Sequence, residues 1–402
     1  MHPRVRLWRE LRWGREVQLL LTDYRSQRPD HPIPEDAFPG ALACDPATVA
    51  RLLPASGFDP ARARAQLLPC LDLEAEEWRH LRRPLRRALA RGYADAGLDS
   101  REAARRAASA ASGQIAVHVV RKVLERYNAA VPGLLRAELP PAEGDYALGL
   151  PWLALGKQAL FGEVGSRYFV VKAAFDLLQA LRAVEAPPPS AFGPEQAEWL
   201  RVRLAAPGPR WRILANSVAM APMVLDLSRP ELDAPAAMRR RFYLNLDQWD
   251  GFGHERDAWI RALDAAGGAV VLSGDIHSGF ATQLGDRSVE FTTPAVSSTP
   301  LHDMLLATAL RDPAQAEAGR RLAENLDALL AHGEPRIRYV QTRRHGHLLL
   351  AIAGDTLRAE FFELPAETSR VNGYANPLRV AGEGRRVRFA LSAADRRIVP
   401  LA

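Results

Sequence analysis

The chain has 402 residues, 48% of them apolar and 25% charged, with a net charge of +6. These proportions exclude a disordered chain and a collagen-like repeat, and they leave room for one large domain or two ordinary ones. Lysine occurs only at Lys122, Lys157 and Lys172, and the arginines are interleaved with alanine and acids, not with stacking aromatics, so no nucleic-acid partner is expected.

Met1 to Glu16 is charged and reads as a short helix, without the apolar core and cleavage site of a signal peptide. The expected address is the cytoplasm, unless a preceding segment carries an export signal. Val17 to Leu21 reads as a strand ended by Asp23-Tyr24-Arg25-Ser26, with a proline-rich loop after it. Its five apolar or uncharged residues are far too few to cross a membrane, and no membrane segment is expected. From Asp45 to Val184 the chain is rich in Ala, Leu and Arg. Helical spacing predicts helices over Ala47–Leu53, Asp72–Ala94, Arg101–Arg126 and Phe169–Ala183. Asp99-Ser100 is the expected cap of the third, and Gly97 the stop of the second. Cys44 and Cys70 form no Cys-x-x-Cys; two reduced thiols are expected, with a single bridge as the alternative.

A proline-rich linker, Ala183 to Pro194, precedes a change of pattern. A helix is predicted from Gly193, with Pro194 in its first turn. Strands are predicted at Trp211–Val218, Phe242–Leu246, Ala269–Ser273, Ser288–Thr293, Ile337–Thr342, His347–Ala353 and Leu357–Phe362, with a helix over Gly253–Ala266. This alternation indicates an α/β core. Ala366 to Ala402 is expected to be a peripheral hairpin or loose extension.

The strand at Ala269–Ser273 runs into Gly274-Asp275-Ile276-His277. In an extended strand Asp275 and His277 point to one side. A carboxylate and an imidazole together suit a hydrolytic metal ion. The alternative is a strand end whose Asp caps a turn and whose His is solvated.

The neighbours of the tetrad bear on this choice. Asp23-Tyr24-Arg25-Ser26, Gly193-Pro194-Glu195-Gln196 with Trp199-Leu200, Asp247-Gln248-Trp249-Asp250-Gly251-Phe252 with Glu255-Arg256, Phe291-Thr292-Thr293-Pro294-Ala295-Val296-Ser297-Ser298, and Arg344-His345-Gly346-His347 stand around it. In that order they resemble the alkaline phosphatase D (PhoD-like) family of metallophosphoesterases. The helical stretch resembles an insertion found in a bacterial branch of that family. The resemblance implies a two-sheet β-sandwich flanked by helices, incomplete here and carrying a helical insertion. It divides the chain into a core start (1–44), a helix-rich insertion (45–190), the C-terminal part of the core (191–365) and a peripheral extension (366–402).

The resemblance implies hydrolysis of phosphate mono- or diesters by a metal-activated water, with iron and calcium as the metals and Asp275 and His277 as ligands. Asp275, His277 and Asp250 are the expected catalytic residues, and Arg25, Asp247 and Trp249 the expected substrate-binding ones. Alternatives stay open for several. Arg25 pairs with Asp23 across the turn or holds a phosphate oxygen. The Asp247–Asp250 cluster is a pocket wall or a helix start with a buried Trp. Asn216, His345 and His347 are secondary ligand candidates.

The family's N-terminal half, with its Gly-Asp and Asp-Asp-His segments, has no counterpart in this sequence. The expectation is a chain that is weakly active or inactive alone and needs that half as a partner. The alternative is a non-catalytic fold remnant that acts as a binding protein.

Overall fold

Apolar runs at Trp211–Val218 and Ala269–Ser273 are largely buried on both faces, and Val17–Leu21 alternates buried with half-buried positions, the pattern of strands covered above and below. A computed structural model describes residues 6–30, 32–157, 165–232, 234, 236–311 and 316–401. It is a mixed α/β structure in two compact units, Met1–Pro32 with Pro188–Ala402, and Ile33–Pro187. The expected helix-rich stretch 45–190 includes residues 158–164, which lie outside the described residues. No described helix is long and apolar enough to cross a membrane.

The expected N-terminal helix is instead a strand, β1 (Arg9–Trp13), paired antiparallel with β2 (Val17–Leu21). Gly14, with φ of 57°, takes the left-handed position in the turn between them. Pairing along the full length of β2 outweighs the helical bias of the charged residues.

The second unit holds β3 (Leu42–Cys44), β4 (Leu68–Asp72), β5 (Gln114–Ala116), β6 (Ala147–Pro151) and β7 (Tyr168–Val171). Four of these form a sheet in the order β3-β6-β4-β5, which the sequence pattern did not reveal. The predicted helix over Arg101–Arg126 is two helices, Ser100–Ala110 and Val117–Ala129, with β5 between them. Gly113 at φ 63° makes the break. The predicted helix over Asp72–Ala94 begins only at Arg82, because Leu68–Asp72 pairs with β5 and β6. Asp99 caps its helix as expected, accepting from the N–H of Arg101 and of Glu102. Gly97 at φ 92° stops the preceding helix, with the Leu98 N–H donating to the Tyr93 carbonyl. Leu71, Leu85, Ile115, Val120 and Leu124 form the core of this unit.

The first unit continues through β8 (Trp211–Val218), β9 (Val224–Asp226), β10 (Arg241–Asn245), β11 (Val270–Gly274), β12 (Gly279–Gln283), β13 (Val289–Thr292), β14 (Ile337–Gln341), β15 (Arg344–Ala353), β16 (Thr356–Pro365), β17 (Arg385–Ser392) and β18 (Val399–Leu401). Its main sheet has the order β1-β2-β8-β11-β13-β12-β14. β2, β8, β11 and β13 run parallel, so their C-terminal ends share one edge. Side chains alternate between two cores with the period of two of a strand. Leu20, Leu214 and Val271 pack with Leu200, Trp259 and Leu263 of the helices Gly193–Ala205 and Gly253–Ala265. Trp211, Val270, Val289 and Phe291 pack instead with Leu357, Phe361, Phe389 and Leu391 of a second sheet, β15-β16-β17-β18.

The C-terminal segment is therefore not a loose extension. β17 pairs with β16 and β18, and Phe389 is 3% exposed. Phe389→Ala is expected to cost about 3–5 kcal/mol, read as a lower urea midpoint for the unit; an unchanged midpoint would return this segment to the periphery.

Cys44 and Cys70 are buried and free. Burial pushes each thiol up to about 11, with Asp45 adding to the effect at Cys44. At pH 8 the native chain is expected to leave an aromatic disulfide reagent unreacted, and the unfolded chain to react at both thiols. Rapid reaction of the native protein would contradict the burial.

Candidate functional site

The shared C-terminal edge of the parallel strands gathers three of the sequence motifs. After β2, Asp23 Oδ1 accepts from the N–H groups of Arg25 and Ser26, each at 3.1 Å. This is the local turn that aspartate favours at a strand end. The Gln196 amide holds the Asp23 backbone from both sides: its Oε1 accepts from the Asp23 N–H at 2.6 Å, and its Nε2 donates to the Asp23 carbonyl at 2.8 Å. Asp23 therefore shapes the turn through the Arg25 backbone, and the Arg25 guanidinium is directed elsewhere.

That guanidinium meets Asp247 Oδ2 at 2.5 Å and stands 3.6 Å from Asp275 Oδ2. Arg28 binds the other oxygen of Asp247. Asp247 is itself placed by Asn245, whose Oδ1 accepts from the Asp247 N–H at 2.8 Å. Partial burial acts to lower the Arg25 pKa, but Asp247, then Asp275, outweigh it and raise the value. The geometry thus unites Arg25, Asp247 and Asp275 of the expected site residues. It also adds Arg28, whose only sequence signal was its place three residues beyond Arg25.

Asp275 and His277 depart from the expected geometry. β11 ends at Gly274, and both residues have positive φ, 72° and 57°. The Ile276 N–H turns back to the Gly274 carbonyl at 2.9 Å. The segment is a tight left-handed turn, so strand alternation does not align the two side chains. Non-glycine residues there cost about 1–3 kcal/mol each. His277 Nδ1 contacts the Thr299 carbonyl at 2.8 Å. Because a carbonyl only accepts, Nδ1 carries the proton and Nε2 keeps the lone pair. Asp275 is half-exposed.

Asp250 and Trp249 lie away from this edge's surface. Asp250 is 3% exposed; its Oδ2 accepts from the Met223 N–H at 2.9 Å and its Oδ1 from Arg256 at 2.7 Å. Burial would lower the Arg256 pKa, yet Asp250, then Asp257, raise it. Trp249 is fully buried, with its ring 5.1 Å from Tyr24 and 5.0 Å from Phe192. Both expected site residues are therefore core and loop anchors. His345 is also buried, bonded to the Ser298 carbonyl and to Ser369 Oγ, and His347 stacks on Phe362 at 4.8 Å. Asn216 donates to the Val218 carbonyl at 2.7 Å, which is a turn role. Among the described residues no three His, Cys, Asp or Glu side chains group as a metal site.

Arg256→Ala would break the buried ion pair at Asp250 Oδ1. The expected cost is about 3–5 kcal/mol, measured by urea unfolding. A variant as stable as the parent would show that the Arg256–Asp250 pair does not hold this loop.

The model of the PhoD-like phosphatase family matches residues 154–361. A solved structure described as "Structure of PhoD" is similar at 15% identity and a TM-score of 0.34, over 54% of this chain and 36% of that one. This chain therefore spans little more than a third of that protein. No curated protein sequence matches.

Proposed function

Since this chain belongs to the PhoD-like phosphatase family, we propose that the strand-end edge bearing Arg25, Asp247, Asp275 and His277 binds phosphate mono- or diesters and serves their hydrolysis. The family match carries this reading, because it takes in the Asp247–Glu255 and Gly274–His277 segments together. Family membership supports a phosphoesterase-type function in general. The roles of single residues are our inference from their placement.

Arg25 is the phosphate anchor. Arg28 and Asn245 fix Asp247, and Asp247 fixes one arm of the Arg25 fork. The arm near Asp275 is held only at 3.6 Å, so it can exchange that contact for a phosphate oxygen. Guanidinium geometry suits such a bidentate exchange. His277 offers Nε2 for a proton or for a ligand, because Nδ1 is spent on Thr299. The layered β-sheets flanked by helices are read as the sandwich of a metallophosphoesterase.

The family implies metal ions, iron and calcium on the sequence resemblance. Hydrolytic sites take at least three protein donors. Asp275 and His277 offer two, and no third His, Cys, Asp or Glu among the described residues groups with them. These residues alone do not fit a resident metal. Hydrolysis at this edge calls for donors beyond those two residues. The same observation favours a second reading, a phosphate-ester binder without turnover.

The purified chain, supplied with iron, calcium, zinc or manganese, is expected to hydrolyse bis-p-nitrophenyl phosphate within about tenfold of the buffer blank. Arg25→Gln is expected to weaken binding of p-nitrophenyl phosphate by about 10- to 100-fold, the worth of a charge-assisted bond. Brisk metal-dependent turnover lost in Asp275→Asn would show that the donor set is sufficient. Unaltered binding in Arg25→Gln would remove Arg25 as the anchor.

A further inference from the structure

The opposite edge of the main sheet carries a second concentration of positive charge. β8, β11 and β13 are parallel, so their starts lie at one edge and their ends, with Asp275, at the other. Five residues of strand in β11 separate the two edges by about 16 Å. At the starting edge lies a cleft of about 990 Å³, between the C-terminal ends of the helices Gly193–Ala205 and Gly253–Ala265 and the segments at Asp355 and Ser392–Arg396. Arg201, Arg210, Arg212, Arg287 and Arg396 line it, against a single carboxylate, Asp355.

Two of these arginines are paired. Arg201 meets Glu198 at 2.9 Å, and Arg210 meets Asp355 at 2.9 Å and Glu16 at 3.3 Å. The other three have no carboxylate partner among the described residues. Arg212, 6% exposed, donates to Gln18 Oε1 at 3.1 Å and to the Ala206 and Ala266 carbonyls. Arg396, also 6% exposed, donates to the Arg210 carbonyl at 2.6 Å and to the Gly267 carbonyl. Its buried Nε has no partner. Arg287 is exposed and reaches only the Gly267 carbonyl, at 3.3 Å.

Every acceptor in this set is neutral. Helix C-terminal carbonyls carry roughly half a negative charge per helix, so two helix ends offset about one of three positive charges. Each guanidinium has five N–H donors; Arg212 uses three, Arg396 two and Arg287 one. Burial pushes the Arg396 pKa down, and the Arg287 and Arg212 charges push it further. Burial and Arg12 do the same to Arg212. Guanidinium stays charged regardless, so the fold holds these like charges together without a salt-bridged carboxylate among the described residues; Asp264, at the same turn, spends its oxygens on the Asp286 and Arg287 N–H groups. The chain also passes close over them: a Cβ at Gly208 would lie 2.6 Å from Arg212 Nε, and three bonds keep that guanidinium from yielding.

We propose that this cleft is a binding site for a phosphate-bearing polyanion, separate from the Asp275 edge. Guanidinium forks match phosphate oxygens, and several guanidinium groups lining one cleft, with the exposed Arg287 as the accessible one, suit a ligand with several of them. The rest of the lining is Leu, Ala, Gly, Pro and Ser, with no aromatic side chain. Such a wall offers no stacking platform for a nucleobase. The ligand class is therefore a linear chain of phosphates rather than a nucleotide.

The test is calorimetric titration of inorganic tripolyphosphate into the full chain carrying Arg25→Gln, so that the strand-end edge does not contribute. One tripolyphosphate is expected to bind per chain. Adding Arg287→Gln should weaken it about tenfold, one ion pair's worth, and Arg287→Glu should abolish it, with circular dichroism showing that both fold. Adding Arg86→Glu, an equal charge reversal at an exposed position of the helix Arg82–Asp95, should leave binding within twofold. Absence of binding to the Arg25→Gln chain at millimolar tripolyphosphate would overturn the site. So would a loss in Arg86→Glu as large as in Arg287→Glu, since binding would then follow net charge alone.

Discussion

Burying the C-terminal ends of parallel strands leaves backbone N–H groups that no ladder can take, and carboxylates take them here. Buried backbone donors must be paired, and acids take them after β2 and β8, while the Ile276 and Thr293 N–H groups after β11 and β13 donate to the Gly274 and Ser273 carbonyls. Asp23 holds the turn after β2. Glu290, fully buried on β13, accepts from the N–H groups of Met220 and Ala221 at 2.8 and 2.7 Å, just after β8. Asp250 accepts from Met223 in the same loop. Glu255 accepts from the Ala191 N–H at 2.5 Å and from Ser190 Oγ at 2.9 Å, ahead of the helix at Gly193. Burial drives the Glu290 carboxyl upward, and those two N–H groups with the Ser273 hydroxyl pull against it.

This constraint sorts the acids near the edge into two kinds. Asp250, Glu255 and Glu290 spend their oxygens on loops and counter-ions inside the protein. Asp247 and Asp275 face the arginines at the surface of the edge. The sequence shows the same residue type in the same motif for both kinds. Asp247 and Asp250 are three residues apart, yet one orders Arg25 and Arg28 and the other anchors Met223 and Arg256.

How much could be read in advance follows from which force decided each element. Strands fixed by continuous apolar runs, such as Trp211–Val218 and Val270–Gly274, stand where periodicity puts them. β12 was missed because Gly279–Gln283 has only two apolar side chains after its glycine and follows a turn with no gap. A hairpin was expected in the C-terminal segment, but β17 was given no bounds and no core role, because Arg385, Arg386 and Arg388 mask the inward Phe389 and Leu391. β5 is three residues long and is held by partners distant in sequence. At the site, residue identity was legible and geometry was not. Gly-Asp-x-His announces a strand end, but the left-handed backbone of Asp275 and His277 is imposed by the Gly274 carbonyl and the Thr299 contact. The two edges also differ in charge balance. Arg25 and Arg28 face Asp247 and Asp275 at one, whereas Arg212, Arg287 and Arg396 face only neutral carbonyls at the other.

On the proposed reading, the strand-end edge anchors phosphate through Arg25 while Asp275 and His277 supply only part of a metal's donor set. Metal analysis of the purified, dialysed chain tests it most directly. The account predicts well under one equivalent of iron, zinc, manganese or calcium per chain, unchanged by Asp275→Asn or His277→Ala. A full equivalent retained through dialysis, and lost in either variant, would contradict it.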